Sequence, residues 1–230
     1  MEPESIGARL TLIRERVERA AHGRRVTLVA VSKGHPASAI REAYAAGQRI
    51  FGENYAQELA DKARELADLA DLEWHFIGGL QRNKVKLIAG VARLIHTVDR
   101  AELGAEISKR SAREQAVLIE VNIGGEPQKA GCSPEDTAAL ARALGAMERV
   151  RLAGLMAIPP ADDAEENRRH FAALAKLGAE LRAAALLPED FELSMGMSDD
   201  FEVALAEGAT LVRVGTAIFG PRPARTSTVL

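Results

Sequence analysis

Leu28-Val29-Ala30-Val31-Ser32-Lys33-Gly34-His35-Pro36 is a short apolar run that ends on a lysine and is then closed by glycine and proline. Four small or β-favouring apolar residues in a row describe a strand buried on both faces, because a strand with one wet face would alternate with polar residues. The period of two puts Val29, Val31 and Lys33 on one face and Ala30 and Ser32 on the other. A lysine at the inner end of such a strand is costly unless it is paired, or unless its amine is uncharged and chemically engaged. The bland alternative is a lysine just beyond the strand with its amine in water.

Outward from this strand the chain repeats one theme. Ile6, Leu10, Ile13 and Val17 recur at helical spacing, so an amphipathic helix precedes the strand and ends near His22-Gly23. After it, Pro36 opens a helix carrying Ile40, Ala43 and Tyr44, and Gly47 closes it. Further strands are expected at 49–53, 73–78, 93–98, 117–123, 150–158, 191–195 and 211–215. Helices are expected at 56–69, after Gln81, at 101–113, at 164–184 and at 199–206, and another is started by Ser133 as cap and Pro134 at its first position. Strands alternating with helices call for a parallel sheet, and eight strands close into a (β/α)8 TIM barrel, here with an extra N-terminal helix. An open doubly wound sheet is the alternative. No linker or composition shift marks a second domain, so residues 1–230 read as one domain, with the barrel at about 26–220 and a loose tail at 222–230.

Hydrophobic residues make up 47% and charged residues 27% of the 230, an ordinary globular balance, and the net charge of −3 offers no bulk attraction for nucleic acid or an anionic membrane. The one cysteine, Cys132, excludes an intrachain disulfide and a Cys-rich metal site. Met1-Glu2-Pro3-Glu4 lacks the basic flank and apolar core of a signal peptide, and no apolar run is long enough to span a membrane. The expectation is a cytoplasmic protein acting as a monomer, with a dimer as the alternative.

In a barrel of this kind the site lies at the C-terminal ends of the strands, with phosphate often held by the loops after strands seven and eight. Lys33, Glu53-Asn54, Gly78-Gly79, Asn122 and Met156 fall at such ends. Ser194-Met195-Gly196-Met197-Ser198-Asp199-Asp200 and Arg213-Val214-Gly215-Thr216 bring glycine, hydroxyls and free amides to the last two loops, which suits an anion. Ser194 and Thr216 are the better hydroxyl candidates, because Ser198 reads as a plain helix cap. Arg213 points inward by parity and needs an acceptor: either a ligand or an inward carboxylate such as Glu120. His75 and His96 lack metal-ligand spacing and read as packed, hydrogen-bonded histidines, so no metal site is expected. Trp74, of opposite parity to His75, is expected under a helix. Cys132, in a polar loop without a paired cysteine, is not read as a redox centre.

The blocks Ala30-Val31-Ser32-Lys33, Phe51-Gly52-Glu53-Asn54, Trp74-His75-Phe76-Ile77-Gly78, Gly154-Leu155-Met156, Ser194 to Asp200 and Arg213 to Gly220 occur in this order. Together they resemble the pyridoxal-phosphate homeostasis proteins, a family similar to the N-terminal barrel of alanine racemase. The resemblance implies that Lys33 holds pyridoxal 5'-phosphate as a Schiff base, that Arg213 faces the pyridine nitrogen and that Asn54 lies beside the ring. It assigns the phosphate to Ser194, Gly215 and Thr216. One departure is visible: Gly79 stands where the family usually has proline, which is expected to loosen that loop.

The implied function is a carrier that helps control the cytosolic supply of the cofactor, with little or no catalysis. An arginine keeps its proton, so a ring nitrogen facing Arg213 stays an unprotonated acceptor and the ring is a poorer electron sink. The competing readings are an amino-acid racemase of the same barrel type and a cofactor-free Schiff-base aldolase. A racemase needs a second acid/base opposite Lys33. In the racemases that group is a tyrosine of a further C-terminal domain, whereas this chain stops about ten residues past Gly220, leaving only Tyr55 near the mouth.

Overall fold

The computed structural model describes residues 5–160 and 163–222. Ser5 caps the first helix through a 3.1 Å bond from the Ala8 N–H, and α1 (Ile6–Ala21) ends at His22 in the left-handed conformation. Eight strands follow: β1 (Thr27–Val31), β2 (Ile50–Glu53), β3 (Glu73–Phe76), β4 (Ala92–Val98), β5 (Gln115–Glu120), β6 (Val150–Met156), β7 (Glu192–Ser194) and β8 (Leu211–Val214). Each pairs in parallel with the next, and β8 pairs with β1, so the sheet is a closed barrel. The expected (β/α)8 architecture is therefore found, and the open sheet is not.

Between the strands lie α2 (Ala37–Ala45), α3 (Ala56–Glu65), a 3-10 turn at Arg82–Lys84 leading into α4 (Val85–Ile88), α5 (Ala101–Arg110), α6 (Thr137–Gly145), α7 (Ala164–Ala183), α8 (Phe201–Ala206) and α9 (Thr216–Phe219). Several elements differ from expectation, among them β5, which ends at Glu120, and α5, which ends at Arg110; three differences have a physical reason or a bearing on the site. The α3 helix stops at Glu65 because Leu66, 2% exposed, packs into the core from a turn that the chain needs to reach β3. Ser133 does not cap α6: its hydroxyl accepts from the Asp136 N–H and donates to the Asp136 carboxylate, making a separate turn ahead of Thr137. The hydroxyl-bearing loop after β8 contains a short helix, α9, that its sequence does not announce. Past Arg222, the expected tail lies outside the described residues.

Parity decides which side chains fill the barrel. Val29, Leu94, Ala116, Leu118, Ala153, Met156 and Leu211 form an inner core, while Phe51, Trp74, Phe76 and Ile95 belong to the larger core between strands and helices. Each fully buried side chain of this size contributes roughly 1.5–3 kcal/mol of transfer free energy. Gly52 is on the inner side, where an added Cβ would come within 2.9 Å of Val29 and 3.1 Å of Ile77. Along the seam Val29 stands opposite Arg213, and α1 covers this closure by packing against α2, α8 and α9. No described helix is long and apolar enough to cross a membrane.

Candidate functional site

Lys33 lies half-buried on the turn just past β1. The turn is tight: the His35 N–H bonds to the Ser32 carbonyl at 3.1 Å and Gly34 takes a φ of 75°. Behind it, on the outer side of the strands, Lys62 of α3 is 7% exposed. Its Nζ donates to the Ser32 carbonyl at 2.8 Å, to Glu53 Oε1 at 2.6 Å and to Glu58 Oε1 at 2.7 Å. Ser32 Oγ also donates to Glu53 Oε1, and the Gly34 N–H to Glu58 Oε1, each at 2.7 Å. Two carboxylates and one buried ammonium thus hold the loop that presents Lys33. Burial raises the Glu53 pKa against the pull of Lys62 and Ser32, and its Oε2 has no partner.

The Lys33 amine has no hydrogen bond or ion pair among the described residues and is partly buried. Burial lowers its pKa, and the positive charges of Arg222 and Arg213 lower it further, against the opposing charge of Glu53. A larger neutral fraction makes the amine a better nucleophile toward a carbonyl.

Arg213 is 4% exposed and sits inside the barrel. The alternative of an ion pair with Glu120 is not what holds it. Its Nη1 donates to Ser194 Oγ at 2.5 Å and its Nη2 to the Ala157 carbonyl at 3.0 Å, while Asp200 and Glu120 attract it without bonding to it. Burial brings its pKa down to about 10, so it stays charged at neutral pH. Glu120, at the end of β5, is pushed up to about 7 by burial and by Asp99. On the far side of Ser194, His96 Nδ1 lies 2.8 Å from Oγ, and His96 Nε2 lies 3.0 Å from His75 Nδ1. Both histidines are buried and bonded, as expected.

The hydroxyl of Ser194, expected at the phosphate, is therefore engaged inside the barrel by Arg213 and His96. Ser198, expected as a cap, is not one: Asp200 precedes α8, and its Oδ1 accepts from the Met197 N–H at 2.6 Å. Ser198 is left in the loop with its hydroxyl unbonded among the described residues. The signal for it was already in the sequence, a serine two residues past a glycine in the same block as Ser194. Gly196 fixes this loop, with φ 91° and no room for a Cβ, which would meet Ala204 at 2.6 Å and the Phe201 backbone at 2.9 Å. Gly215 precedes α9, whose first N–H groups lack intrahelical partners, and Thr216 is exposed beside them. Asn54 follows β2 with its Oδ1 buried and unpartnered. Asn122 serves structure: its side chain pins the following loop through the Glu126 backbone at 2.8 and 3.2 Å.

Comparison with known proteins gives the family. Residues 5–223 match the alanine racemase, N-terminal domain family. The pyridoxal phosphate homeostasis protein of Pseudomonas aeruginosa is 50% identical over 200 residues, 86% of this chain and 85% of that one. This chain belongs to that family. Its Aquifex aeolicus member is 46% identical over 225 residues, covering 93% and 97% of the two chains. The solved structure of PipY from Synechococcus elongatus PCC7942 with PLP bound superposes with a TM-score of 0.83 at 41% identity, over 94% of this chain and all of that one. Alanine racemase from Corynebacterium glutamicum shares the barrel alone, at 18% identity and TM-score 0.71 over 96% of this chain and 62% of that one.

Proposed function

We propose that this chain binds pyridoxal 5'-phosphate at the C-terminal mouth of its barrel, with Lys33 as the covalent anchor, and acts as a cytoplasmic carrier with little or no catalysis. The observation that carries the reading is the unbonded, partly desolvated amine of Lys33 beside the buried charge of Arg213 and the two glycine-bearing loops. The donor set suits the group: an amine for an aldehyde, cations and backbone N–H groups for a phosphate, and an unpartnered amide oxygen on Asn54.

When bound, the cofactor supplies an aldehyde for the Schiff base and a conjugated ring that can accept electrons. Lys33, as the neutral amine, would condense with that aldehyde with loss of one water. Arg213 would offer its remaining N–H groups to the ring nitrogen and, keeping its charge, would leave that nitrogen an unprotonated acceptor. Gly215 and Thr216, joined by Ser198, hold the phosphate. Ser194 contributes through Arg213, and Asn54 lines the ring. Neither tyrosine is set as an acid opposite Lys33: Tyr44 is hydrogen-bonded to Asp71, and Tyr55 is 62% exposed at the start of α3.

Adding pyridoxal 5'-phosphate to purified protein is expected to produce a protein-bound absorption band that Lys33→Ala loses. Borohydride reduction and peptide mapping should place the label on Lys33. A label on Lys84 or Lys129 would overturn the assignment.

A further inference from the structure

Arg213, Ser194, His96 and His75 form a single buried file across the barrel interior. Its protons can be assigned in order. A guanidinium only donates, so Ser194 Oγ accepts from Arg213. The serine then has one proton to place, and the described residues offer one acceptor for it, His96 Nδ1 at 2.8 Å. With Nδ1 bare, a neutral His96 carries its proton on Nε2 and donates it to His75 Nδ1 at 3.0 Å. His75 in turn keeps its proton on Nε2. It lines a polar cavity of about 260 Å3 at the N-terminal end of the barrel, with Arg25, Glu73, Arg93, Asp190 and Glu192 around it.

The reverse order would have His96 donate to Ser194 and leave the serine proton buried without an acceptor, a costly state. A doubly protonated His96 would add a second buried cation beside Arg213. Burial lowers the pKa of both rings, and neighbouring charge adds to it, from Arg93 at His75 and from Arg213 at His96. Hydrogen bonds aligned head to tail polarise one another, so the file is stiffer than its separate members.

We propose that His96, backed by His75, is a positioning residue for the cofactor: it fixes Ser194 as the acceptor of Arg213 and so aims the free N–H groups of the guanidinium at the ring. The proposal rests on the function assigned above, but its first test does not. In cofactor-free protein, 15N NMR of labelled histidine should find His96 and His75 both neutral, with bare Nδ1 and protonated Nε2, at pH 7. A protonated Nδ1 on His96, or a charged ring, overturns the file.

The second test titrates pyridoxal 5'-phosphate into folded variants. His96→Leu should bind about 10-fold more weakly, in line with the loss of one buried bond to a charged group, and should shift the bound absorption maximum. His96→Asn, which keeps an acceptor where Nδ1 stood, should recover most of the affinity and the maximum. Wild-type affinity and spectrum in His96→Leu overturn the positioning role, as does failure of His96→Asn to recover either. If wild-type protein does not bind the cofactor at all, the functional assignment falls, and so does the positioning role that rests on it. The NMR result then bears on the file alone.

Discussion

Two polar clusters are buried in the molecule, one inside the barrel on β3, β4, β7 and β8 and one behind the first two strands, and they are built on different principles. The outer cluster gathers opposite charges: the ammonium of Lys62 against the carboxylates of Glu53 and Glu58, with Ser32 between. The inner file has one charge, on Arg213, and hands hydrogen bonds from it through neutral groups to His75. Ion pairs tolerate small shifts of their members, whereas a file of single-proton donors and acceptors has one order. The outer cluster therefore suits holding a loop in place, and the inner one suits aiming a side chain. The loop of Lys33 is held by the first and Arg213 by the second, so in the proposed site the two ends of one ligand would be positioned by unlike means.

The contrast is broken hardest by Lys62→Met. Removing the ammonium leaves the Glu53 carboxylate buried without a partner cation, with Glu58 half-buried beside it, and a loss of about 3–5 kcal/mol is expected in urea unfolding. A loss under about 1 kcal/mol would mean that the cluster does not clamp the loop. Next comes the phosphate, which the proposed site holds through neither cluster but through the loops after β7 and β8. Pyridoxal lacking it should bind more weakly by about 3 kcal/mol, over 100-fold, if charge-assisted bonds from Gly215, Thr216 and Ser198 hold it. Equal affinity would remove those residues from the site.

Acid sharpens the comparison from the inner side. The folded chain protonates His75 only near pH 3, and an unperturbed ring does so at 6.5. Between those values the unfolded chain binds more protons, so stability falls as pH falls. His75 alone should remove about 2 kcal/mol between pH 6.5 and 5, with His96 acting in the same direction. Urea midpoints across this range should flatten in His75→Phe, and an unchanged acid limb would disconnect the file from stability. The smallest effect belongs to Glu120. Its pKa near 7 means that it gains charge as pH rises through neutrality, beside a site for an anion. Cofactor affinity should fall by about fivefold above pH 7, roughly 1 kcal/mol at an effective dielectric of 20, and Glu120→Gln should abolish that dependence.

Much of this was legible in the sequence. The apolar run ending on Lys33 identified a doubly buried strand, and parity alone put Val29 and Val31 inside and Trp74 outside. The partners of Ser194 were not legible, because they come from β4 and β8 and meet it only when the barrel closes. Reading Arg213 against Glu120 followed charge, but the structure satisfies the guanidinium with a hydroxyl and a carbonyl. Caps were misread at Ser133 and Ser198 for a common reason. A serine ahead of a helix signals a hydrogen bond to nearby backbone, and a separate turn or an open loop satisfies the same local pattern.

The seam between β1 and β8 bears on the life of the chain during synthesis. Lys33 follows the first strand and Arg213 lies on the eighth, yet Val29 and Arg213 are partners across one ladder. Such a long-range pairing forms late, after the entropy of closing nearly the whole chain has been met. Under the function proposed above, Lys33 and Arg213 can serve one ligand only once β8 has joined β1. A chain stopped before Leu211 lacks the strand that closes the barrel, and with it the arginine of the proposed site.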